Sequence, residues 1–170
     1  MGRRDKMLQT IVTNPQPVVG LVGRYQVKVT RANGSEEWYT TPNVVVQTGM
    51  TMLSRYVSSY SVGANSQMAY MAIGTATTVA SVNQTTLPGE VKRLPFASTS
   101  VTANNSWSAV CTYGGGTDSI VGVVIAEAGV WNATGSGAGV MFNRGVLGST
   151  FTLQSSDIAL VQVIVSVGSL

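Results

Sequence analysis

From residue 68 onward the chain is a succession of short apolar runs set between turns, with no internal repeat at a fixed long period. "MAYMAIG" (68–74), "RLPFASTSVT" (93–102), "WSAVCTY" (107–113), "SIVGVVIAEAGVW" (119–131), "GVMFNRGVL" (139–147), "FTLQ" (151–154) and "IALVQVIVSV" (158–167) are brief apolar runs rich in β-branched and aromatic residues. Clusters such as "TANNS", "YGGGTD", "NATGSGAG" and "GSTF" separate them. Runs of this length bounded by Gly, Ser, Thr and Asn read as strands, and no helical stretches alternate with them. The pattern rules out a βαβ architecture. It predicts an all-β chain, an antiparallel β-sandwich or barrel of jelly-roll-like form.

Three upstream segments depart from that rhythm. Residues 1–18 are polar, and Pro15 and Pro17 in "NPQP" forbid a regular central strand or helix, so they read as an extended N-terminal arm. "RYQVKVTRANGSEEWYTT" (24–41) alternates polar and apolar residues around Asn33-Gly34, a strong hairpin signal. One face of that hairpin carries Tyr25, Val27 and Val29, with Trp38 as the expected partner across the turn. Over 49–59 the period changes: Met50, Leu53, Val57 and Tyr60 recur at steps of three and four behind Thr48 as N-cap, which predicts one short helix with those residues as its core face. Residues 19–170 then form a single domain.

Charge narrows the function classes. Of 170 residues, 44% are hydrophobic but only 10% charged, against about 25% in typical soluble domains. Nine of the seventeen charged residues fall between Arg3 and Glu37, and only seven follow Tyr56. A surface so poor in charge favours association, so the chain is expected to be a homo-oligomer with much of its surface covered by neighbouring subunits. Arg3, Arg4 and Lys6 form a short basic cluster in the arm, but the net charge is only +3 and aromatic residues do not alternate with basic ones. That argues against a nucleic-acid groove, and Arg3, Arg4, Lys6, Arg24 and Lys28 are its only candidates. No apolar run is long enough for a membrane helix, and the first residues lack the apolar stretch of an export signal.

Catalytic and metal chemistry finds little support. The chain has no His and one Cys, Cys111, which excludes His-based triads, ordinary Cys/His zinc sites and an internal disulfide. Asp118 and Asp157 each stand alone, short of the oxygen ligands that calcium requires. "YGGGTD" lacks the Lys-Ser/Thr of a phosphate loop. No cofactor is expected. Glu127 is the one conspicuous group. It lies inside an apolar run, with no other charged residue between Asp118 and Arg144. A buried carboxylate must be paired, protonated or in use. Glu90 could meet it as a second carboxylate, although nothing local enforces this.

The order of several short motifs adds a resemblance. "TPNVVVQTGMTMLSRYV" leads into "YMAIGTAT", then "TTLPGEVKRLPFASTSV", then "IAEAGVWNATGSGAGVMFNRGVL", then a final apolar strand. From about Thr41 to Val167 this resembles a family of structural proteins of tailed bacteriophages described as tail-fibre-like or virion-associated, whose chains carry an "IGTG"-like strand end and a "TEAGLFNA"-like motif. The resemblance implies a non-enzymatic virion protein, present in multiple copies on the tail, neck, fibre base or capsid surface beside other virion structural proteins. It also carries over Glu90, Arg93, Glu127 and Arg144 as a group. A buried Glu is tolerable only with a cation and further hydrogen bonds, and Arg can bind it through a planar fork. Glu127 is therefore expected to be a structural ion-pair residue, with Arg93 preferred to Arg144 as its partner. The rival reading is a carbohydrate-binding β-sandwich module using Trp107, Trp131 and Tyr113.

Overall fold

The computed structural model describes residues 19–57, 67–102 and 105–169. The nine strands run β1 (Val19–Thr30), β2 (Glu36–Val45), β3 (Tyr70–Gly74), β4 (Glu90–Pro95), β5 (Ser98–Thr102), β6 (Ser106–Gly114), β7 (Val124–Trp131), β8 (Met141–Thr152) and β9 (Ile158–Ser169), with helix α1 (Gln47–Val57) between β2 and β3. They form one curled sheet in the order β4-β3-β7-β8-β2-β1-β9-β6-β5, and every strand pairing is antiparallel. The chain is thus all-β with one short helix, as the spacing of its apolar runs predicts.

Two crossings fold this sheet into facing layers. The first part of β2 pairs with β1, while its last residues, Val44 and Val45, pair with Arg144 and Asn143 of β8. At the opposite margin, Phe96 donates its backbone N–H to Ala69 and the next residue, Ala97, donates to Val110. Adjacent amides therefore bond to opposite layers, and the expected single run 93–102 becomes two strands on two layers with Phe96 and Ala97 as the corner. Conversely, the separate runs 139–147 and 151–154 fall largely in one long strand, β8, which pairs with β7 on both sides of an irregularity: Val146 lies opposite Glu127 and Phe151 opposite Ile125, with residues 147–150 set between them.

The core lies between the layers. Tyr25, Val27, Val29, Cys111, Tyr113, Val161 and Val163 on one side meet Met71, Ile73, Ile125, Ala128, Val130 and Phe142 on the other. This is the alternation of strands with one buried face. The two buried tyrosines find acceptors: Tyr25 donates to Asn143 Oδ1 at 2.5 Å and Tyr113 to the Met71 carbonyl at 2.7 Å.

Local geometry corrects three expectations. In the hairpin, Trp38 lies opposite Lys28 and not among Tyr25, Val27 and Val29; Tyr39 is the residue opposite Val27. Three residues turn the hairpin: Gly34 donates to the Arg31 carbonyl and has φ of 82°, whereas Asn33 keeps a negative φ. Such a turn followed by a left-handed Gly shifts the register by one residue relative to a two-residue Asn-Gly turn, which moves Trp38 to the outer face. Helix α1 begins at Gln47, and the Thr48 hydroxyl donates to the Met141 carbonyl at 2.9 Å, so it moors the helix to β8 rather than capping it. Gly49 lies against the Phe142 backbone with no room for a Cβ. The small Thr48–Gly49 surface makes the contact, which leaves Met50 and Leu53 46% and 39% exposed. Residues 58–60, with Tyr60, and the arm with Arg3, Arg4 and Lys6 lie outside the described residues.

Candidate functional site

The outer face of the layer β4-β3-β7-β8 is covered by the long connection 75–89. Glu127 and Arg144 lie under it, both fully buried. Successive residues of β7 alternate sides, so Ala128 and Val130 enter the core while Glu127 and Trp131 face outward beneath this connection. Trp131, Ala72, Leu87, Met141 and Val46 make a second, smaller apolar cluster there.

Within that layer Glu127 joins three segments. Its Oε1 accepts the backbone N–H of Gly89 at 2.8 Å and of Ala76 at 3.3 Å, and its Oε2 accepts Arg144 Nε at 2.7 Å. Arg144 then reaches into the covering connection: Nη1 donates to Gln84 Oε1 at 2.9 Å and to the Val79 carbonyl at 3.4 Å, and Nη2 to Thr78 Oγ1 at 3.4 Å. The carboxylate holds both ends of the connection while the guanidinium holds its middle. Each charge is compensated by its partner and by polar groups, the condition for tolerating an ion pair out of water.

Arg93 does not pair with Glu127, which corrects the expected partner. It grips Glu90 with both forks, Nε to Oε1 at 2.9 Å and Nη2 to Oε2 at 2.6 Å, and donates to the carbonyls of Ala133 and Ala138. Its guanidinium carbon stands 3.9 Å from the Trp131 ring centroid, stacked as cations favour aromatic faces. The two pairs are neighbours because Gly74 of β3 lies opposite Glu90 on one side and Glu127 on the other. The structure thus gathers Glu90, Arg93, Glu127 and Arg144 on one buried face as two separate pairs, each carboxylate bound by its own arginine.

A third charged cluster gives no signal in the one-dimensional pattern. Asp157, which stands alone in sequence, accepts Arg31 Nη1 at 2.9 Å and the backbone N–H groups of Ala32 and Gln154. Arg31 also binds Glu37 in bidentate fashion, at 2.8 and 2.6 Å. The Arg31 guanidinium and the Tyr39 hydroxyl hold the Glu37 carboxyl down to about 2, and the bonds from Gln154, Arg31 and Ala32 lower Asp157 as well. Together these bonds tie the β1–β2 turn to the β8–β9 turn. Asp118 is engaged too, with Lys92 at 3.3 Å and the Gly114 N–H at 2.8 Å.

The aromatic residues of the carbohydrate reading do not form an open platform. Trp131 and Tyr113 are buried, and Trp107 packs partly against the core. Trp38 is instead the exposed tryptophan, at 65%, with Lys28 Nζ 5.7 Å from its ring centroid. Among the described residues, no three His, Cys, Asp or Glu side chains gather as metal ligands, and no helix is long and apolar enough to cross a membrane. Comparison with protein-family models, with curated proteins and with solved structures gave no match.

Proposed function

We propose that this chain is a non-enzymatic structural subunit of a tailed-bacteriophage virion, present in many copies. The observation that carries the assembly part is the open outer face of the layer β2-β1-β9-β6-β5. Trp38, Ile158 and Leu160 are exposed there at 65%, 48% and 37%. Lys28 and Glu36 on the same face neutralise each other in an ion pair. A broad sheet face with scattered apolar groups and little net charge is suited to meeting another protein surface.

The virion assignment rests on the motif resemblance and on what its residues do. "IGTAT", "LPGEVKR", "AEAGVW" and "FNRG" meet at the two arginine–carboxylate pairs: Glu127 with Arg144 fastens the connection 75–89, and Arg93, paired with Glu90, holds the β7–β8 connection at Ala133 and Ala138. Glu127, the one group whose placement invites a catalytic role, has both oxygens occupied by scaffold donors. Other subunits of the particle, rather than a small molecule, are the partners this reading names.

Two measurements test it. Light scattering of the purified chain should give a mass several times that of one copy. An antibody against the chain should decorate particles of a phage that encodes it. A monomeric chain at high concentration, together with undecorated particles, would reject the proposal.

A further inference from the structure

At the end of the sandwich nearest α1 the two layers part. The opening is a groove of about 990 Å³ lined mainly by apolar side chains, among them Leu21, Met52, Phe96, Val101, Trp107 and Phe142. None of its described lining residues is charged. Val101 belongs to the inner face of β5, opposite Trp107, yet it is 78% exposed. β5 is also an end strand of the sheet, so its outer edge has no neighbour among the described strands. An apolar inner face beside an unpaired strand edge is the geometry that accepts an added strand: main-chain bonds supply affinity and alternate side chains enter the groove.

We infer that this groove receives residues 7–12 of a second copy of the chain, added along β5. The inference rests on the multi-copy reading above and names its docking site. "MLQTIV" is the apolar stretch of the first eighteen residues, and in extended form either of its faces carries two apolar side chains, Met7 with Ile11 or Leu8 with Val12. Arg3, Arg4, Asp5 and Lys6 precede it and would stay at the solvent mouth of an uncharged groove. Asn14-Pro15-Gln16-Pro17 separates it from β1. β1 enters the sheet at the groove's own end, where Leu21 lines it, but in the order β1-β9-β6-β5 a strand added at the free edge of β5 lies four strand spacings away, about 19 Å. Residues 13–18 reach only about 20 Å at full extension, which leaves nothing for the change of direction that a return into the parent groove requires. A neighbour's groove sets no such span.

The test uses full-length chains, Ile11→Cys in one and Val101→Cys in a size-tagged other, mixed and mildly oxidised. Native Cys111 stays, since it is buried. The expected result is a disulfide joining the two chains, at least tenfold above the yield with Thr40→Cys on the outer face. A second variant, Val101→Asp, changes an exposed side chain, so it should fold normally and weaken self-association at least tenfold. An intrachain bond in the dilute Ile11→Cys/Val101→Cys double variant would overturn the second copy as occupant. Absence of either bond would overturn the groove as the site. Light scattering of a chain lacking residues 1–18 separates the two levels. A fall in mass without the cross-link leaves assembly standing and rejects the groove, whereas a monomer with or without those residues rejects both.

Discussion

Gly74 and Glu127 are matched by exclusion: a Cβ on Gly74 would stand 2.5 Å from Glu127 Oε1 and 2.6 Å from the Gly89 carbonyl oxygen. The carboxylate can lie flat against β3 and reach the Gly89 amide only because this position has no side chain. Gly74→Ala should therefore push the carboxylate away from Arg144 and the connection 75–89 off the sheet. Overpacking of this kind costs about 1–3 kcal/mol. The expected result is a lower denaturant midpoint with faster proteolysis inside 75–89. An unchanged midpoint would mean that the connection moves freely.

The pairing itself is open to a double-mutant cycle. Glu127→Gln leaves Arg144 as an uncompensated buried charge and should cost about 3–5 kcal/mol in denaturant unfolding. Combined with Arg144→Met it should show clear coupling, while combined with Arg93→Met the effects should add within about 0.5 kcal/mol. Arg93→Met should couple to Glu90→Gln instead. Coupling of Glu127 to Arg93 would contradict the observed pairing.

Acid stability should report the cluster at the β1–β2 turn. Glu37 is held at about 2 by Arg31 and Tyr39, below its ordinary carboxylate value. A depressed folded value means that the contribution is complete above the unfolded pKa of about 4.3 and is lost as pH falls through the folded value. The melting temperature should accordingly drop between about pH 4.3 and 2, and Glu37→Gln should flatten that part of the profile. Asp157, also lowered, contributes with the same sign. An identical profile for the variant would remove Glu37 from the account.

Cys111 offers a probe of the core. Burial pushes its thiol up to about 11, and its sulfur lies 3.2 Å from the Pro95 carbonyl oxygen. Since the thiolate is the reactive form, a thiol reagent at pH 8 should leave the folded protein unlabelled and modify one thiol per chain on unfolding. Rapid labelling of the native state would show that the corner at Phe96 and Ala97 opens.

Much of this was legible in one dimension. Period-two runs with Gly, Ser and Thr punctuation determine an all-β antiparallel chain, because alternation places one face of each strand in the core regardless of which strands are neighbours. The lone carboxylate in "VVIAEAGVW" likewise announces a buried ion pair, because desolvation is costly wherever that strand lies. Tertiary structure alone decided which arginine answers it. The register shift where β4 passes Ile73 and Gly74 lets Glu90 and Arg93 of that one strand meet, and leaves Arg144, brought by β8, for Glu127. It also decided the joining of Arg31 with Asp157, 126 residues apart, and the face on which Trp38 lies. A local pattern records which face a side chain takes. Pairing across strands depends on register, and one extra residue in a turn or bulge reverses it.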